Sequence, residues 1–174
     1  MVFDPVCSFS ECIYKVTVAF TPKLIFIVNV SLIGVGEYTY SADLQNENIY
    51  VFGPDSKAAE LEGSKIFMKD LCKKYGIPSA DYKTFYDAES AISYIESKNM
   101  PIVVKANGLA AGKGVIIANE KSEAITAIND MLINNKFGSA GSSIVVEEFL
   151  EGRETSFFII SDGNTVLPLG FAQD

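Results

Sequence analysis

Apolar positions follow two rhythms along this chain. Over residues 1–48 they come in short β-branched and aromatic stretches. Val16-Thr-Val-Ala-Phe20 and Leu24-Ile-Phe-Ile-Val28, split by Thr21-Pro22, read as β-strands. Ile49-Tyr-Val-Phe52 reads as another strand, ended by Gly53-Pro54. From Ser64 the period lengthens. Phe67, Met68, Leu71, Cys72 and Tyr75 recur at helical spacing, with Ser64 as N-cap, Gly76 at the C′ position and Pro78 as the stop. Asp81 to Phe85 is the next expected strand. Asp87 caps a helix with the stripe Ala88, Ala91, Ile92 and Ile95. Pro101 to Val104 and Val115 to Ala118 are strands flanking a glycine-rich loop. Ser122 is expected to cap a helix that turns Ala124, Ile125, Ile128, Met131 and Leu132 inward. A strand over Ser143 to Glu147 follows. Ser156 to Ile160 and Thr165 to Leu169 then flank Asp162-Gly163, a two-residue hairpin signal. The β-α-β-β-α-β order over 81–147 predicts an α+β unit, a small antiparallel sheet with two helices on one face.

Composition narrows the partners. The 174 residues suit one ordinary domain or two small ones, and the 48% apolar fraction is ample for a core. A net charge of −8 argues against nucleic acid or an anionic membrane as partner, so any phosphate site must be a local positive patch. The chain has no histidine, which removes Ser-His and Cys-His nucleophile pairs. Three cysteines, Cys7, Cys12 and Cys72, show no zinc spacing and fit a reduced, cytoplasmic setting. Asp4 and Glu11 lie where a signal peptide would be positive, and Leu24 to Gly36 is too short to span a bilayer.

The chemistry concentrates in Lys105-Ala-Asn-Gly-Leu-Ala-Ala-Gly-Lys-Gly-Val115. Gly108, Gly112 and Gly114 let a backbone lie close against a ligand and turn its N–H groups to negative oxygens, and Lys105 and Lys113 add charge. The spacing is not that of a Walker A loop, since Gly114 rather than Ser or Thr follows Lys113 and a strand rather than a helix comes next. Taken alone, the loop fits a solubilised hairpin as well as a phosphate cradle. Lys65 stands in the first turn of its helix against the macrodipole. It is either a tolerated surface lysine or a cation that shares an anion with the helix N–H groups. Glu148, Glu151 and Glu154 alone read as a solvated charge run.

Several motifs occur in one order: Phe52-Gly-Pro54, Glu62-Gly-Ser-Lys65, Lys105 to Val115, Glu147-Glu-Phe-Leu150 and Gln173-Asp174. From about Ile49 to Asp174 the chain resembles the phosphoribosylamine–glycine ligase family of purine biosynthesis, which are ATP-grasp enzymes. The resemblance implies a fold, an ATP-grasp lid subdomain over 79–147. It is preceded by a remnant and linker helix over 49–78. The adenine-binding linker and the start of the second ATP-grasp subdomain follow over 148–174. Residues 1–48 form a divergent strand-rich segment. The resemblance also implies an ATP site. Lys65, Lys105 and the loop residues Gly108, Gly112, Lys113 and Gly114 would meet the phosphates. Main-chain groups of Glu147, Glu148, Phe149 and Leu150 would hold adenine, and Glu154 the ribose. Magnesium is expected, with its protein ligands beyond Asp174, and glycine and phosphoribosylamine are the implied small-molecule partners.

The implied reaction activates the glycine carboxylate as an acyl phosphate, which the amine of phosphoribosylamine then attacks. Asn107 departs from the family, which usually has Asp there. The chain also stops where the family continues, so it is expected to be inactive alone. The competing readings are a non-catalytic relic or nucleotide-binding module, or another ATP-grasp carboxylate–amine ligase.

Overall fold

The computed structural model describes residues 26–27, 51–52, 56–110, 112–153, 155–161 and 164–173. The expected strand over Val16 to Phe20 and the Asp162-Gly163 turn lie outside the described residues. Two short strands, β1 (Phe26–Ile27) and β2 (Val51–Phe52), pair in parallel. Two helices follow, α1 (Ser56–Gly63) and α2 (Lys65–Tyr75). The sequence signals for α2 hold: Ser64 accepts from the N–H of Phe67, and Gly76 ends the helix in the left-handed region at φ 65°. The sequence pattern did not announce α1. Its residues from Lys57 to Glu62 are good helix formers without an apolar period.

The predicted unit is present: β3 (Tyr82–Phe85), α3 (Ala88–Glu96), β4 (Ile102–Ala106), β5 (Val115–Ala118), α4 (Lys121–Leu132) and β6 (Ile144–Glu148). The strands form one antiparallel sheet in the order β3-β6-β4-β5. Asp87 caps α3 as expected, its carboxylate accepting from Ser90 N–H at 2.7 Å. The start of α4 differs from expectation. Glu120, not Ser122, occupies the N-cap, and the carboxylate of Glu123 reaches back to the N–H groups of Asn119 (2.7 Å) and Glu120 (3.3 Å). This reciprocal geometry satisfies two donors that one serine hydroxyl could not.

Strand alternation gives the sheet two different faces. Ile102, Val104 and Ala106 of β4, Ile144 and Val146 of β6, and Ala118 of β5 pack with Ala91 and Ile95 of α3 and Ala124, Ile128 and Met131 of α4 in one buried cluster. The alternate positions, Val103 and Lys105 on β4 and Val145 and Glu147 on β6, belong to the opposite face. A separate antiparallel pair, β7 (Ser156–Ser161) and β8 (Val166–Ala172), follows the sheet in sequence.

Candidate functional site

Two register pairs, Val103 opposite Glu147 and Lys105 opposite Val145, make Lys105 and Glu147 diagonal neighbours on the second face of the sheet. Their side chains meet, with Lys105 Nζ donating to Glu147 Oε2 at 3.0 Å. A third residue, absent from the expectations above, completes the cluster. Lys69 of α2 is buried, and its Nζ lies 3.0 Å from the same Glu147 oxygen. It also donates to Ser79 Oγ (2.7 Å) and to the carbonyl of Ala80 (3.1 Å), and it sits 5.6 Å from the Tyr82 ring centroid. An ammonium has three donors. Lys69 spends two of them on Ser79 and Ala80 and is ion-paired to Glu147 inside the fold, whereas Lys105 remains 26% exposed. Glu147 Oε1 is buried with no hydrogen-bond partner among the described residues. Helical spacing offered one signal for Lys69: it lies one turn beyond Lys65 and so on the same side of α2.

Lys65 opens α2 and is half-buried. Its Nζ donates to the Gly108 carbonyl at 3.1 Å and its N–H to the Asn107 carbonyl at 3.1 Å. Burial lowers its pKa from the ordinary 10.5, and the neighbouring charge of Lys105 lowers it further. Two lysines from distant parts of the sequence therefore feel each other at one place. Asn107 ties the loop to the helix start. Its Oδ1 accepts from Ser64 Oγ (3.1 Å) and from the N–H of Ile66 (2.9 Å).

The glycines of the loop have distinct jobs. A Cβ on Gly108 would lie 2.8 Å from Ala140 Cα, and the Gly108 N–H donates to the Ala140 carbonyl at 3.1 Å, so this glycine permits a close approach to the 3₁₀ turn Gly138–Gly141. Gly114 is buried, and a Cβ there would lie 2.6 Å from that of Ala110. Gly112 has φ +74° and faces open space, beside the exposed Lys113.

On the far side, β6 runs through Glu148, so main chain outside the sheet begins at Phe149 rather than at Glu147. Glu148 is tied to Asp81 twice, donating its N–H to the Asp81 carbonyl and accepting the Asp81 N–H on Oε1, each at 2.9 Å. Phe149 and Leu150 are exposed. Glu154, expected at the ribose, lies outside the described residues. Among the described residues, no group of three or more His, Cys, Asp or Glu could hold a metal ion. The carboxylate nearest the lysines, Glu147, already serves two ammonium groups. These residues do not fit a magnesium ion.

A four-stranded antiparallel sheet with two helices on one face, and lysines gathered on the other beside a glycine loop, is the ATP-grasp arrangement. D-alanine–D-alanine ligase from Helicobacter pylori shares the fold with a TM-score of 0.61 at 20% identity, over 79% of this chain and 41% of that one. The phosphoribosylamine–glycine ligase of Thermotoga maritima matches with a TM-score of 0.67 at 34% identity, over 79% of this chain and 36% of that one. The family described as phosphoribosylglycinamide synthetase, ATP-grasp (A) domain, matches residues 63–174, and the chain belongs to it. The chloroplastic phosphoribosylamine–glycine ligase of Arabidopsis thaliana is 56% identical over 151 residues. That alignment takes in 84% of this chain, more than the segment from Ile49 to Asp174 holds, so the similarity reaches residues before Ile49. The chain spans 28% of the plant relative's length.

Proposed function

We propose that this chain supplies the lid side of the ATP site of a phosphoribosylamine–glycine ligase. Lys65 reaching the Gly108 carbonyl of the glycine loop, and Lys105 near the end of the strand that leads into that loop, carry the reading, because they concentrate positive charge locally in a chain of net charge −8. Lys105, partly exposed and with donors to spare, meets the phosphates. Lys65 joins it when the loop carbonyl at Gly108 yields. Gly112 and Lys113, the exposed part of the loop, close over the polyphosphate and exclude water, while the buried Gly114 anchors the loop's base against Ala106. Main chain at Phe149 and Leu150, outside the sheet, pairs with adenine, and Glu154 holds the ribose.

In the reaction, an oxygen of the glycine carboxylate attacks the terminal phosphorus and ADP leaves. The amine of phosphoribosylamine then attacks the acyl carbon and expels phosphate, forming the C–N bond. The part of this chemistry assigned to the present residues is positioning and charge neutralisation, which dominate phosphoryl transfer. Among the described residues, no helix is long and apolar enough to cross a membrane. A free thiol at Cys72 fits a reducing compartment, the cytoplasm in the first instance, although the plant relative is named chloroplastic.

Calorimetry tests the reading. The chain is expected to bind ATP weakly, and Lys105→Ala is expected to weaken it by about tenfold or more, about 1.4 kcal/mol or more. The roughly 4 kcal/mol of a charge pair near 4 Å at an effective dielectric near 20 is an upper limit, because Glu147 already holds part of the Lys105 charge. Equal affinity in wild type and Lys105→Ala would remove the phosphate role. With ATP, magnesium, glycine and phosphoribosylamine supplied, no product is expected, because the described residues hold no cage for the metal. Turnover that vanishes in Lys105→Ala would overturn that expectation.

A further inference from the structure

Among the described lysines around this cluster, Lys69 is the one shut away from a ligand: it is 3% exposed, hydrogen-bonded to Ser79 and Ala80 and ion-paired to Glu147. Its partner Glu147 is equally buried, at 4%, and touches Lys105 with the same oxygen. We propose that Lys69 is a positioning residue that neutralises Glu147 from inside the fold and so leaves the charge of Lys105 for an anionic ligand. This inference rests on Lys105 being the phosphate-binding lysine.

The charges decide the argument. One carboxylate against two ammonium groups leaves the cluster at a net positive charge of one. Without Lys69, Glu147 and Lys105 would form a neutral pair, and a polyphosphate would have to pull Lys105 from a buried, uncompensated carboxylate. Breaking such a pair is costly, because the charge left behind has no water to turn to. With Lys69 present, Lys105 can swing to a phosphate while Glu147 keeps one cation. The two lysines thus divide the work. The interior one holds the carboxylate and the exposed one moves. Lys69 also fixes where Glu147 Oε2 sits, because the two acceptors of its hydrogen bonds, Ser79 Oγ and the Ala80 carbonyl, lie on the segment leading into β3, and β3 pairs directly with β6.

The experiment measures ATP affinity by calorimetry for the full chain and for Lys69→Met, Glu147→Gln, the double variant Lys69→Met/Glu147→Gln, and Lys105→Ala. Adenosine, which has no phosphates, is the control. Lys69→Met is expected to weaken ATP binding about tenfold, for the loss of one unit of nearby charge, and to leave adenosine binding unchanged. Glu147→Gln is expected to bind ATP at least as tightly as wild type. The double variant, in which neither the carboxylate nor its neutraliser remains, is expected to return to within about threefold of wild type. A purely structural lysine would move ATP and adenosine together and would not be rescued by removing Glu147.

If Lys69→Met alone fails to fold, Glu147→Gln and the double variant carry the test. A folded double variant that binds ATP as poorly as Lys105→Ala overturns the proposal. Binding that depends on Lys105 but not on Lys69 overturns the Lys69 role and leaves the nucleotide reading standing. A wild-type chain that binds no ATP overturns both.

Discussion

Lys65 occupies the first position of α2, where the helix N-terminus is already positive. Burial, the charge of Lys105 and the helix end all disfavour its protonated form. Its folded pKa is lowered from 10.5, so between that lowered value and 10.5 the unfolded chain binds more protons than the folded one. Stability contributed by Lys65 therefore rises with pH across this window. Ligand binding has the opposite sign. A phosphate beside Lys65 favours the ammonium, so ATP binding takes up a proton there and weakens as pH rises through the lowered value. Calorimetry in a series of alkaline buffers is expected to show this loss setting in below the ordinary lysine range. Lys65→Arg, whose guanidinium stays charged, is expected to flatten the Lys65 part of the profile. An unchanged profile in Lys65→Arg would place the titration elsewhere.

At the scale of elements, the glycine loop is pinned where its glycines are crowded. A methyl at Gly108 would meet the Cα of Ala140 at 2.8 Å, an atom that cannot rotate aside. Gly108→Ala is therefore expected to destabilise the fold by about 1–3 kcal/mol, the usual range for overpacking, read as a lower denaturant midpoint. Adding Ala140→Gly is expected to rescue it only in part, since that change removes the methyl carbon at 2.9 Å but leaves the backbone carbon at 2.8 Å in the way. Gly112→Ala meets no atom but is strained at φ +74°.

The sequence made most of this layer legible. Period, caps and punctuation located α2, α3 and the four strands of the main sheet, because those signals are local. The start of α4 was misplaced by a serine of good capping type two residues inside a glutamate that the longer Glu123 side chain completes. The partnership of Lys69 and Glu147 was not legible. It depends on how α2 packs against the sheet and on the β4–β6 register, and no local pattern encodes either. Asn107 could be read only as a departure from the family. The structure makes it the clasp between loop and helix.

At the scale of the molecule, the described residues gather exposed apolar surface on the β7–β8 pair. Phe157, Phe158 and Ile159 are half exposed, Val166, Leu167 and Leu169 slightly more, and Phe171 is 77% exposed. Consecutive strand residues face opposite sides, so both faces of this two-stranded sheet are apolar and open. Such a pair is marginal alone, and a patch of this kind favours association. The isolated chain is expected to self-associate in sedimentation experiments. Phe157→Ser/Phe171→Ser, which removes a ring pair with centroids 4.9 Å apart, is expected to shift it toward monomer while leaving the melting of the four-stranded sheet in place. An unchanged sedimentation profile would clear the hairpin of that role.

The clasp at Asn107 has a further consequence, for chemical ageing. An asparagine followed by glycine is the dipeptide most prone to lose ammonia, because the glycine nitrogen can close on the side-chain carbonyl carbon to give a succinimide. Here that nitrogen has its hydrogen engaged by Ala140, and the Asn107 oxygen is held by Ser64 and Ile66. Closing the ring requires the Gly108 N–H to leave Ala140, so the clasped loop disfavours it. Folded protein keeps its amide, and each excursion that frees residues 107 and 108 exposes it to conversion into aspartate or isoaspartate. The sum of aspartate and isoaspartate at this one position thus records how often the loop has let go.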